Sequence, residues 1–364
     1  MLKVIISGGG TGGHIFPALA IANALKEKYN QVSILFVGAN GKMEMEKVPA
    51  AGYQIIGLNI SGLQRKSIIK NLLFPFKLVA SVVKSRQIIK NFKPDVVVGV
   101  GGFASGPLLY AATQMSVPTL IQEQNSYPGI TNKWLGKRAN RICVAYEGME
   151  KFFPKEKILL TGNPVRQDIK NLSGKRQRGF ELFELDPSKR SILVIGGSLG
   201  ARSINLSIKA MLPAFEKSGF QLIWQTGKAY YQEAMDAVKL LNSQQIKVYD
   251  FISTMDYAYS VADVVVSRAG ASSVSELCVV KKASILIPYP YAAEDHQTSN
   301  AMALVTNQAA LLINDSEVQV KLKETLWNLL GNEALIHKLE ENTIRLSFRD
   351  AAEIIASEIM NLKV

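Results

Sequence analysis

The chain carries one local pattern twice. "VIISGGGTGGHIFPALAIANAL", Val4 to Leu25, is a short apolar run, a glycine-packed turn and then an apolar stretch of helical period; "SILVIGGSLGARSINLSIKAML", Ser191 to Leu212, repeats that order. An apolar run that meets glycine at once and then changes period from continuous to 3.6 reads as a strand feeding a helix. Two such units, in 364 residues, predict two doubly wound α/β domains that face a shared cleft. Further strands are predicted at Ser33–Val37, Val96–Val100, Thr119–Ile121, Arg141–Val144, Gln221–Trp224, Lys247–Phe251, Val264–Ser267 and Ser284–Ile287. The expected layout is a first domain over 1–163, a second over 164–345, and a last helix over 346–364 that packs back on the first. "NLSGKRQRGFELFELDPSKR", after Arg166, reads as a linker and domain entry.

Ligands of open α/β sheets sit at the carboxyl ends of strands, where a glycine turn lets backbone N–H groups and a helix N-terminus face an anion. Both turns are therefore phosphate-site candidates. The first, Gly8 to Gly13, contains GxGxxG, but a nicotinamide site also wants an acid at the end of the second strand, and "FVGAN", Phe36 to Asn40, has none. The GK[ST] of a P-loop is absent too.

Charge narrows the partners. Of 42 Lys+Arg and 30 Asp+Glu, 20 basic and 8 acidic residues fall in the first 160 positions, so the whole excess of +12 lies there. No acid occurs between Glu46 and Asp95, and "RKSIIKNLLFPFKLVASVVKSRQIIKNFK", Arg65 to Lys93, alternates basic with apolar residues. One reading is a surface helix with Leu78, Val79, Val82, Val83 and Ile89 toward the core. The other is contact with an anionic membrane surface, with Phe74, Phe76 and Lys77 at the helix start; each cation near such a surface contributes about 1 kcal/mol. No nucleic-acid module is present. Two cysteines, Cys143 and Cys278, allow no disulfide framework, and neither a signal peptide nor a run of about 20 apolar residues is found. The expectation is a soluble chain in a reducing compartment.

Polar clusters follow several of the predicted strands. "GVGGFASGP" (Gly99–Pro107) includes Gly102 and Ser105; "IQEQNSYPG" includes Glu123 and Asn125; "GNPVR" ends in Arg166. In the second half, "SRAGASSVSE" carries Arg268 and Glu276, and "EDHQTSNA" carries Asp295, Gln297 and Asn300, groups suited to sugar hydroxyls. Each also has a plain structural reading as helix cap, ion pair or solvated turn.

Together, "GGGTGGHIFPALA", "GVGGFASGP", "QEQNSYPG", "GNPVR", "GGSLGARSIN", "SRAGASSVSE" and "DHQTSNA", in that order over nearly the whole chain, resemble the MurG glycosyltransferases. The resemblance implies a GT-B fold, two Rossmann-like domains with the active site in the cleft between them. It implies transfer of N-acetylglucosamine from UDP-N-acetylglucosamine to the C4 hydroxyl of undecaprenyl-diphospho-N-acetylmuramoyl-pentapeptide in peptidoglycan synthesis, with inversion. By the same resemblance Ser198 contacts the donor diphosphate, Ile252 holds uracil through its backbone, Glu276 takes the ribose hydroxyls, and Gln297 and Asn300 read the sugar. Thr11, Gly12, Gly13, Asn125 and Arg166 match further donor positions, and Gly12, Gly13, His14, Gly102 and Ser105 are the expected seat of the acceptor diphosphate. His296 departs from members with glutamine there and is given no role.

The reaction needs a base and stabilisation of the departing diphosphate. No Asp-x-Asp occurs, so no metal and no cofactor is expected; helix N-termini at Ser198 and Ala271, with Arg166 and Arg268, stand in for a cation. His14, of a type that titrates near about 6.5, is one base candidate, or else a phosphate donor; Glu123 is the rival. The expected location is the cytoplasmic face of the cell membrane, peripherally bound, near cell-wall synthesis proteins. An epimerase of UDP-sugars, a nicotinamide oxidoreductase and a non-catalytic lipid-diphosphate binder remain the alternatives from composition and motif.

Overall fold

Runs such as "VII", "VVV" and "LVI" are buried on both faces, as strands of a parallel sheet covered by helices on each side must be. The computed structural model describes residues 1–62 and 73–363. The chain divides into two units, Met1–Arg166 with Arg349–Val364, and Gln167–Phe348.

The first unit holds a seven-stranded sheet formed by β1 (Leu2–Gly8), β2 (Val32–Ala39), β3 (Gln54–Leu58), β4 (Val96–Gly101), β5 (Thr119–Glu123), β6 (Arg141–Val144) and β7 (Ile158–Leu160). Their spatial order is β3-β2-β1-β4-β5-β6-β7, all parallel. The second unit holds β8 (Ser191–Ile195), β9 (Gln221–Gln225), β10 (Ile246–Tyr249), β11 (Val264–Ser267), β12 (Ala283–Leu286) and β13 (Leu311–Leu312), in the order β10-β9-β8-β11-β12-β13, again parallel. Strand order reverses between β1 and β4 and between β8 and β11. These switch points are where an open α/β sheet leaves a crevice at its carboxyl edge. The two glycine turns leave β1 and β8 at those places.

After the second turn the helix Arg202–Ser218 buries Ile204, Ile208, Met211, Leu212 and Phe215, a spacing that keeps one face on the sheet, and Gly219 stops it in a left-handed cap at φ 74°. Trp224 lies fully buried beneath it, and its indole N–H donates to Asn205 Oδ1 at 3.0 Å while Asn205 Nδ2 donates to Thr226 O at 2.9 Å. The helix Ala351–Asn361 packs Ala352, Ile355, Ala356 and Ile359 into the core of the first unit beside the helix Gly12–Lys28.

Three expectations are corrected. The stretch read as a linker and domain entry forms the helix Lys175–Phe183, because Phe180 and Phe183 have a core to enter. Strands β3, β7 and β13 were not foreseen; β3 and β7 are edges, and β13 is an edge of two residues. In the helix Phe74–Phe92 the buried face is Ser81, Ser85, Ile88 and Ile89. Leu78, Val79 and Val83 point away from it, with Phe76 73%, Val79 64% and Val83 59% exposed along one stripe and Leu73 just before it. Small serines let this helix lie close to its neighbour, so the larger apolar residues are left facing outward. The Arg65–Leu72 part of the basic stretch lies outside the described residues.

At Gly200 the backbone has φ 77°, and a Cβ there would lie 1.9 Å from Thr226 O. Gly200→Ala is expected to cost the second unit about 2–4 kcal/mol, from the left-handed strain and the clash together, read as a shift in its urea midpoint.

Candidate functional site

The first constellation forms at the carboxyl ends of β1 and β4. The chain leaves β1 through Gly9 and Gly10, the latter at φ 86°, and starts the 17-residue helix Gly12–Lys28 with Thr11 as its cap. The N–H groups of Gly12 and Gly13 open that helix, where no intrahelical carbonyl can reach them, and no acid stands in the first turn. With the helix dipole behind them they form an anion seat. His14 follows directly. Its Nδ1 lies 3.0 Å from Gly9 O and 3.4 Å from Thr11 Oγ1. A carbonyl oxygen only accepts, so Nδ1 is the donor in the bond to Gly9 O.

The turn after β4 presses on this loop. Gly101 and Gly102 have φ 108° and 92°; a Cβ on Gly101 would meet the His14 ring at 2.5 Å, and one on Gly102 would meet Gly9 O at 2.4 Å. Ser105 does not offer its side chain to an acceptor diphosphate: it is buried, and its hydroxyl is engaged by Ser7 O at 3.0 Å and Gly101 O at 2.9 Å. It ties the helix Ser105–Gln114 to the loop instead.

Glu123, the rival base, is turned into its own segment. Its Oε1 accepts from the backbone N–H and the side-chain amide of Asn125, and its Oε2 from Gly129 N and from Asn132 Nδ2 at 2.8 Å. The carboxylate organises the loop from 124 to 132, and Asn125 is part of that framework. Behind it Gln122, Gln124 and Asn163 form a buried amide network, with Asn163 Nδ2 donating to Gln124 O at 3.0 Å. Arg166 is the last residue of the first unit and half-buried.

The second constellation lies at the ends of β8 and β11. Ser198 is exposed in the turn, four residues before the helix Arg202–Ser218 rather than at its first position. Gln225, unremarked in the sequence, bridges this turn to the next loop: Nε2 donates to Gly197 O at 3.1 Å and Oε1 accepts Ile252 N at 2.9 Å. The N–H of Ile252 is thereby used internally.

Arg268 is not a cation waiting for a diphosphate. Its guanidinium is buried and pairs with Asp315 Oδ1 at 2.5 Å, with Ser203 Oγ, and with the carbonyls of Ile287 and Pro288. A fork so filled fastens the end of β11 to the segments around it. Glu276, in the helix Ala271–Val280, accepts from Tyr259 Oη at 3.0 Å. Gln297 Oε1 accepts Tyr289 N at 3.0 Å. Asn300 is buried, with Nδ2 3.4 Å from Ala269 O. Glu294 and Asp295, at φ 54° and 50°, hold a left-handed kink ahead of Gln297, and Asp295 Oδ1 accepts the Thr298 hydroxyl at 2.7 Å.

One further residue escaped sequence reading. Glu44, from the helix Glu44–Ala50, is buried, and its oxygens accept Gly10 N at 2.8 Å and Ala39 N at 2.9 Å. An acid does reach the end of β2, but it arrives from the following helix and is spent on backbone.

The glycosyltransferase family 28 N-terminal domain model matches residues 4–144, and that family's C-terminal domain model matches residues 191–355. The UDP-N-acetylglucosamine–N-acetylmuramyl-(pentapeptide) pyrophosphoryl-undecaprenol N-acetylglucosamine transferase of Phocaeicola vulgatus is 53% identical, over 99% of this chain and 96% of its own length. The transferase of the same name from Parabacteroides distasonis is 51% identical over 99% and 98%. The crystal structure of Acinetobacter baumannii MurG superposes with a TM-score of 0.78 at 29% identity, covering 99% of this chain and 100% of that one.

Burial pushes the Glu123 carboxyl above its ordinary range, while its four N–H donors pull it back. A carboxyl raised in the fold favours folding below the unfolded value, about 4.3, and that contribution is lost as pH rises through the folded value. In urea titrations, stability relative to Glu123→Gln is therefore expected to fall as pH rises above the unfolded value of about 4.3. A constant gap would show that the four donors offset the burial completely.

Proposed function

We infer the reaction from the premise that the chain belongs to glycosyltransferase family 28, in its MurG branch. It is a glycosyltransferase that moves N-acetylglucosamine from UDP-N-acetylglucosamine onto N-acetylmuramyl-(pentapeptide) pyrophosphoryl-undecaprenol, a step of peptidoglycan synthesis. One observation carries this above all: the likeness runs through both units, at 53% identity over 99% of the chain.

In the mechanism proposed, His14 is the base. The acceptor C4 hydroxyl gives its proton to Nε2, the oxygen bonds to the anomeric carbon with inversion, and the bond from that carbon to the diphosphate breaks with its electron pair leaving on UDP. The bond from Nδ1 to Gly9 O favours this role over phosphate donation, because in the neutral ring it leaves the lone pair on Nε2. Glu123 is assigned the loop, since its lone pairs are already taken. The Gly12 and Gly13 N–H groups take the acceptor diphosphate. On the donor, Ser198 and Arg166 serve the diphosphate, the Ile252 carbonyl the uracil, Glu276 the ribose, and Gln297 and Asn300 the sugar. Among the described residues no helix is long and apolar enough to cross a membrane. We assign the stripe Leu73, Phe76, Val79 and Val83, continued by Arg86 and Lys90, to an anionic membrane surface at the cytoplasmic face, where the lipid acceptor lies.

Transfer of labelled N-acetylglucosamine onto a short-chain acceptor analogue tests the reaction, and it is expected to proceed with excess chelator present. His14→Ala is expected to lower kcat about 10²- to 10⁴-fold with the donor KM little changed. A loss confined to the acceptor KM would return His14 to the phosphate-ligand role. Phe76→Ser with Val79→Ser is expected to reduce sedimentation with phosphatidylglycerol vesicles about tenfold or more, with soluble-acceptor turnover retained. Equal binding by the two proteins would remove the stripe from the membrane.

A further inference from the structure

The Gly9–Gly10 peptide group joins two side chains. Its carbonyl oxygen lies 3.0 Å from His14 Nδ1, and its amide N–H donates to Glu44 Oε2 at 2.8 Å. The other Glu44 oxygen holds Ala39 N at 2.9 Å, which locks the carboxylate between the glycine turn and the end of β2. Two glycines make its slot: a Cβ on Gly9 would lie 2.3 Å from Glu44 Cδ, and one on Gly38 2.6 Å from its Cγ. The left-handed φ of 86° at Gly10 helps turn the peptide so that one end meets the ring and the other meets the acid.

An amide that donates to a carboxylate gains negative charge on its oxygen, because hydrogen bonds in series polarise one another in a low-dielectric interior. Gly9 O is thus a better acceptor for Nδ1–H, and best when the ring is an imidazolium. We propose that Glu44 is the carboxylate partner of His14, acting through the Gly9–Gly10 peptide to orient the ring and raise its affinity for the proton taken from the acceptor hydroxyl. It is a positioning residue. The proton stays on His14 Nε2; the amide keeps its own hydrogen and Glu44 receives none. The proposal rests on the reading of His14 as base.

The other charged groups around the Gly12–Lys28 helix are placed elsewhere. β2 and β4 carry none, and Lys3 of β1 is held at the opposite edge by Phe92 O. In the Glu44–Ala50 helix, Glu46 and Lys47 are exposed. The Ala351–Asn361 helix carries Glu353 and Glu358; it meets the far end, where Lys28 donates to Ser357, and Glu358 pairs with Arg141. Glu123 is committed to its own loop. Glu44 is joined to the ring by hydrogen bonds to both ends of the Gly9–Gly10 peptide.

The chain has three histidines, His14, His296 and His337, so each imidazole can be followed by NMR through a pH titration. Glu44→Gln is expected to lower the His14 midpoint by about 0.5–1 unit, less than the roughly 1–3 units of a directly facing charge, and to leave His296 and His337 in place. The acid limb of the kcat profile should move with it and the plateau fall, while the donor KM stays. Glu44→Asp, which keeps the charge and withdraws it by one methylene, should lower the midpoint by a smaller step. A His14 midpoint that coincides with the parent's in folded Glu44→Gln overturns the proposal. If Glu44→Gln does not fold, an unmoved midpoint in Glu44→Asp overturns it equally. A moved midpoint with His14→Ala costing less than about tenfold in kcat would refute His14 as base and leave the coupling standing.

Discussion

Contact of backbone with backbone at the glycine turns is what the rest of this protein is arranged around. In the first unit the strand turn at Gly102 sits against Gly9, and in the second Gly200 sits against Thr226 and Gly227 against Leu199, at separations no side chain would allow. The gain is positional. A helix can begin immediately above its strand, so its first N–H groups open onto the switch point of the sheet instead of being spent in a longer connection. Both units repeat this construction, although the residues that fill their turns differ.

Around those turns, polar and charged side chains divide into two sets with different work. Glu44, Glu123, Arg268 and Asp315 are wholly or largely buried, and each is satisfied by backbone groups or by an opposite charge. They hold loops in one shape, and removing any of them would leave buried donors or acceptors unpaired. Thr11, Ser198 and Gln297 lie nearer the surface and hold the loops' outward groups. A site for charged ligands built this way needs few free charges of its own, since oriented N–H groups and helix ends do not repel one another as clustered cations would.

Much of the fold was legible in the sequence because buried parallel strands are continuous apolar runs, often bounded by glycine, and β1, β4 and β8 have that form. β13 did not, being two residues whose only signal is Leu311-Leu312. The Phe74–Phe92 helix was legible as a helix but not as to its face: serines at 81 and 85 line the packed side, and no hydropathy rule favours serine over valine for burial. The candidate site was legible where residue type and turn position coincide, as at Gly12, Gly13 and His14. It was not where a partner is distant in the chain. Nothing near Arg268 announces Asp315, nothing near Ile252 announces Gln225, and nothing near Gly10 announces Glu44.

The last helix gives the chain an order of assembly. Ala352, Ile355, Ala356 and Ile359 complete the core around Ile21 and Leu25, so the first unit is finished by residues made after the whole second unit. On a ribosome adding about 5–20 residues per second, the interval from Arg166 to Asn361 lasts about 10–40 s. Throughout it the apolar flank of the Gly12–Lys28 helix has no native cover. The second unit, which is continuous in sequence, can close during that time. Biosynthesis therefore favours a nascent form in which the later-made second unit is native first and the earlier-made first unit waits for the helix Ala351–Asn361.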